Sequence, residues 1–202
     1  MNKFLFAIAA FFMTIPSFAQ LNSGGFSLDE ENLYWGVRLG INFAGIGGDI
    51  KSDEGRTGMT LGGVIGLRVS DSTPLFLESG LYYTERGGNK LKGIHAIDPN
   101  IADKSADGHL NYFEIPLLIK YGISTDSEIS FLPFLGPYLS MGISGDYNYL
   151  KHPEMGFKLG CGVEWNYLYL EAAYQFGVTN IADFHNATSH GHALAINFGI
   201  NF

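Results

Sequence analysis

The sequence predicts an all-β protein: an eight-stranded antiparallel up-and-down β-barrel that crosses a membrane. Three observations carry this. Apolar residues recur at i, i+2 and i+4 through eight separate segments, the period of a strand with one apolar face. The connections between those segments alternate between long and short. The chain is rich in apolar residues (46%), aromatics (14%) and glycine (27 residues), yet no stretch after the N-terminus reaches the length a membrane helix needs.

The first element is an expected export signal over residues 1–19. Lys3 supplies a basic start, Phe4 to Phe12 an apolar core, Pro16 a break, and Ser17-Phe18-Ala19 the small-x-small site of a signal peptidase. The apolar run is too short for a spanning helix, and no cysteine follows for lipidation. Cleavage after Ala19 leaves Gln20 first, and residues 20–33 read as a periplasmic lead-in. The rest, 34–202, reads as one barrel domain.

The strands follow in order. Trp35, Val37, Leu39, Ile41 and Phe43 form the apolar row of the first, and Leu61, Ile65, Leu67 and Val69 that of the second. Leu75, Leu77, Leu81 and Tyr83 mark the third. The fourth alternates most cleanly, Phe113, Ile115, Leu117, Ile119 and Tyr121 against Tyr112, Glu114, Pro116, Leu118 and Lys120. Leu135, Leu139, Met141 and Ile143 give the fifth; Phe157, Leu159, Cys161, Val163 and Trp165 the sixth. Leu168, Leu170, Ala172, Tyr174 and Phe176 give the seventh, and Leu194, Ile196, Phe198, Ile200 and Phe202 the eighth. Long connections are expected at 44–57, 85–109, 144–155 and 178–191, short ones at 70–73, 123–128 and 166–167. An even strand count with loops sorted this way is the pattern of an outer-membrane barrel with both termini in the periplasm.

The two faces decide between a membrane barrel and a soluble one. The second face is rich in glycine, alanine and serine, with a sparse set of charges: Arg38, Arg68, Glu78, Glu114, Lys120, Glu164 and Glu171. Small residues and nearly balanced charges suit the narrow interior of eight strands. The apolar rows then face lipid, with aromatic girdles at Trp35, Tyr121, Trp165 and Phe202 on one rim and Phe43, Tyr83, Phe113 and Phe176 on the other. The interior charges read as a salt-bridged plug that sets register, in preference to a proton or ion path, and a wide porin is excluded by strand count. The closing Phe202 resembles the signal that the outer-membrane assembly machinery reads.

Other classes find little support. A net charge of −8 argues against nucleic acid, and a lone Cys161 excludes an internal disulfide and multi-cysteine zinc motifs. Gly47-Gly48 and Gly87-Gly88 are loop glycines, not phosphate cradles. All six histidines fall at the long-loop end: His95, His109, His152, His185, His190 and His192. His190-x-His192 places two imidazoles on one strand face, and with His185 and Asp183 they form the candidate metal set for zinc, copper or another divalent ion. For catalysis, Asp183 with His185, or Ser189, His190 and Asp183, can be written down, but no motif supports either set. The expectation is a non-enzyme without a cofactor.

Leu110-Asn111-Tyr112-Phe113-Glu114-Ile115-Pro116-Leu117-Leu118-Ile119-Lys120-Tyr121, with PFLGPY at 133–138 and YQFGVTNI at 174–181, resembles the PorT-type outer-membrane β-barrel family over residues 34–202. The resemblance implies an eight-stranded barrel of Gram-negative bacteria; the family's namesake assists secretion of proteases and adhesins. The shared motifs are strand motifs, so they speak for fold. Expected partners are outer-membrane lipid, the assembly machinery, and envelope or secretion proteins. Pro116, inside a strand of a closed barrel, predicts a bulge.

Overall fold

The computed structural model describes residues 32–70, 72–92, 108–125, 129–145, 153–181 and 187–202. The expected export signal, most of the lead-in, and Asp183, His185, His95 and His152 lie outside these residues.

Eight long strands close one antiparallel barrel: β1 (Leu33–Gly48), β2 (Lys51–Arg68), β3 (Leu75–Lys92), β4 (Gly108–Tyr121), β6 (Ile129–Gly145), β7 (Glu154–Trp165), β8 (Leu168–Gly177) and β9 (Ser189–Asn201). Each pairs with its neighbour in sequence; β1 pairs β9, and β4 pairs β6, which completes the ring. A two-residue strand, β5 (Ile123–Ser124), continues β4 past Gly122 and also pairs β6. Between them the Gly122 amide donates to the Pro74 carbonyl of the β2–β3 connection at 2.7 Å.

Alternation sets the two faces. Leu39, Ile41, Leu61, Ile65, Ile115, Leu117, Leu135, Leu170 and Phe198 all point outward and are about half exposed. Along β1 this belt runs from Leu33 to Phe43. Ten steps of about 3.3 Å, tilted about 40°, make a band roughly 25 Å tall, the height of a bilayer's apolar core. Trp35 and Phe202 stack at one edge of it, ring centroids 4.6 Å apart, where reciprocal backbone bonds of 2.7 and 3.0 Å join β9 to β1.

Three expectations are corrected. The segment 44–57 is no long loop: β1 and β2 run through it and leave only Asp49 and Ile50 as the connection, with Gly48 at φ +119°. Likewise β3 continues to Lys92 and β4 begins at Gly108, so the third-to-fourth connection is shorter than 85–109. Glycines and a register shift blur the two-residue period there. Pro116 makes no bulge. Its register with β6 is the same before and after (Pro116↔Tyr138, Ile119↔Leu135), and its carbonyl accepts from Ser79 Oγ at 2.8 Å. The register shifts fall nearer the end away from Phe202, between Gly55 and Thr60 in β2 and between Asn111 and Tyr112 in β4.

Candidate functional site: a filled, charged lumen

Inward side chains meet in a space only wide enough for themselves. Tyr34, Tyr82 and Tyr169 each lie against an inward glycine of the neighbouring strand (Gly66, Gly62 and Gly162), where any side chain would strike the ring. These glycines let tyrosines cross the lumen and reach the charges.

The charges form two storeys. In the lower one, toward Phe202, Glu78 Oε2 takes Lys120 Nζ at 2.8 Å, Tyr34 OH at 2.7 Å and Arg38 Nη2 at 3.7 Å. Lys120 also donates to Tyr169 OH at 2.7 Å, and Tyr169 OH donates to Glu171 at 3.1 Å. Lys158 and the Asn197 amide hold the other oxygen of Glu171 at 3.3 and 2.7 Å. Arg38 lies 4.0 Å over the Tyr169 ring and donates to Asn201, whose amide in turn donates to Glu164 at 2.8 Å.

The upper storey centres on Arg86. It pairs with Glu114, with Glu154 at 3.3 Å and with Ser140 Oγ at 2.6 Å. Tyr138 OH donates to Glu154 and Gln175 to Glu114, both at 2.6 Å. Every one of these ionic side chains is buried. Each of the four cations has a carboxylate within 4 Å, the arrangement that makes buried charge tolerable.

Apolar residues close both ends. Tyr34, Phe76, Leu132 and Tyr169 form a buried cluster at the Phe202 end, with the two tyrosine hydroxyls reaching into the lower storey. At the other end Ile46, Ile50, Leu91, Leu110, Ile181 and Ala187 are all buried. Between them and the upper storey lies a cavity lined by Ala44, Ile46, Arg86, Leu110, Tyr112 and Glu154, with room for about one water molecule.

Of the charges expected inside, Arg38, Glu78, Lys120, Glu164 and Glu171 gather in the lower storey and Glu114 joins the upper. Arg68 lies at the Phe202 end of the barrel. It ends β2 at the rim, half-buried, with Nε donating to the Ser70 carbonyl at 3.1 Å and its guanidinium over Phe76. Sequence reasoning misses Arg86, Glu154 and Lys158 as members, although Arg86 keeps the parity of Glu78 and Tyr82. Extending the alternation past position 84 finds it.

His190 and His192 both stand on the outer face of β9. His190 is half-buried with Nδ1 3.0 Å from the Thr179 carbonyl, and His192 is exposed with its ring against Gly45. Two imidazoles fall short of the three or four ligands zinc takes. Among the described residues no group of three or more His, Cys, Asp or Glu is placed to hold a metal.

The model of the outer membrane protein beta-barrel domain matches residues 18–183. The chain belongs to that family. As an outer-membrane β-barrel protein it resembles several solved structures. One is a major outer membrane protein of Thermus thermophilus (11% identity, 85% of this chain and all of that one, TM-score 0.49). The others include OprG of Pseudomonas aeruginosa (15%, 84% and 95%, 0.48) and the Neisserial surface protein A (14%, 85% and 98%, 0.48). No curated protein matches the sequence.

Proposed function

We infer that this outer-membrane barrel is a non-enzymatic structural or accessory component of a Gram-negative envelope, working through its loop-bearing rim and its partners. The observation that carries this is the filled lumen: among the described residues, two storeys of paired charge and buried apolar residues at both ends occupy it. A protein with a filled interior acts through its surfaces. The PorT-like strand motif from Leu110 to Tyr121 favours a role beside secretion or adhesion. In this reading residues 1–19 direct export, both termini are periplasmic, Phe202 is read by the assembly machinery, and the opposite rim faces outward.

The test is an affinity pull-down after mild detergent extraction, with a tag placed just after Ala19. Specific envelope or secretion proteins in the eluate are the expected result. A solitary barrel from several detergents would sink the accessory role.

A second reading has one observation behind it. The Thr179 carbonyl takes up His190 Nδ1, which leaves Nε2 for a ligand on the face that also carries His192. A divalent metal would sit at that rim, with Asp183 and His185 as further candidate ligands. Calorimetry with zinc on the intact barrel, and on H190A and H192A, decides it; no uptake by the intact barrel removes the reading.

A further inference from the structure

The end of the barrel away from Phe202 is split. The β1–β2 register ends at Ala44↔Arg56. Beyond it β1 follows β9, to Gly48↔Ser189, while β2 follows β3, to Lys51↔Lys92. Two flaps result, joined covalently through Asp49 and Ile50. Two serines bridge them. Ser52 Oγ accepts from Ile46 N at 3.0 Å and donates to Ile46 O at 3.4 Å; Ser189 Oγ accepts from Ile50 N at 2.9 Å.

At the level of the split the sheet is built to bend. The β2–β3 register shifts between Gly55 and Thr60, and Gly87 of β3 has φ +127°, which favours glycine. In β1 the in–out alternation lapses, with Ala44, Gly45 and Ile46 buried in a row. Above this line Ile50, fully buried at the turn, is one of the residues of the apolar closure. Three other residues of that closure, Ile46, Leu110 and Ile181, line the Arg86–Glu154 cavity.

We propose that the β2–β3 tip is a lid: Ser52 and Ser189 latch it to the β1–β9 flap, and Ile50 is the buried residue it holds in the apolar closure above the upper storey. Swinging the tip about the glycine-flanked register shift withdraws Ile50 and wets the upper charge storey. The lower storey stays shut, because its apolar floor lies at the opposite, Phe202 end of the strands. This goes beyond the accessory role and holds whether or not partners are captured.

The test measures thiol accessibility in the full barrel carrying C161S. Ala44→Cys and Leu110→Cys report on the cavity, and Ala195→Cys, buried deeper in the lumen, is the control. A charged methanethiosulfonate reagent is applied to folded protein, identified by its heat-shifted gel mobility, with and without S52A/S189A. The latch variant should label roughly tenfold faster or more at positions 44 and 110, as expected for losing the three hydrogen bonds of the two serines, with no change at 195. Slow labelling that ignores the serine changes means a fixed wall and overturns the lid. So does rapid labelling with the latch intact, or acceleration at all three positions, which marks general loosening.

Discussion

Glu78 is the residue on which the lower storey turns. One of its oxygens meets a lysine, an arginine and a tyrosine, all in a space closed to water. Removing a partner from a buried pair costs far more than the pair's net contribution, because the remaining charge stays desolvated. Glu78→Ala strands Lys120 and Arg38, so it should destabilise the barrel by about 3–5 kcal/mol. Urea titration in lipid vesicles, followed by gel mobility, would show it; a midpoint unchanged from the unaltered protein would mean the charges are wetted or re-paired. The presence of charge on the inner face was legible from alternation alone. Which carboxylate meets which cation was not. Arg38 and Glu78 lie on different strands, and register across two ladders decides whether their heads meet.

The strands show where local pattern suffices and where it slips. Wherever apolar residues alternate cleanly, as in β4 and β9, parity alone assigns each side chain to lipid or lumen. It fails at the far ends of β1, β2 and β3, where glycine replaces large residues and a register shift resets the count. Those ends look like loop in the sequence, and Arg86 is lost with them. Pro116 misleads in another way: a missing donor suggests a bulge, whereas the register is kept and a serine hydroxyl serves the proline carbonyl. The outward face of β1 and its neighbour β9 offers a depth test. Ile41→Arg, in mid-belt, should cost about 2–4 kcal/mol of folding into vesicles, and His192→Arg, at the edge, roughly 0–1. Equal costs would mean that the belt does not meet lipid at this depth.

At the scale of the whole molecule the barrel is a closed wall around a filled core. The wall removes every sheet edge, as a bilayer without water to serve backbone groups requires. The core is polar, and its charges are paired across strands distant in sequence, Arg86 with Glu154 and Arg38 with Glu78 among them. Such a lumen should not conduct. Purified barrel in a planar bilayer is expected to show no steady single-channel current in molar salt, while still resisting SDS until boiled. Regular openings of the unaltered protein would sink the sealed-lumen view and, with it, the main support for a surface-acting role.

The sequence by itself determined that this chain makes eight membrane-crossing strands and which face of each meets lipid. Both follow from local periodicity, and a period of two survives any tertiary arrangement. Only the tertiary structure decided that the interior is two storeys of paired charge with buried apolar residues at both ends, and that the β1–β2 connection is a short, serine-bridged tip. Those outcomes depend on register and closure, which bring together residues more than a hundred positions apart, and no local pattern records such distances.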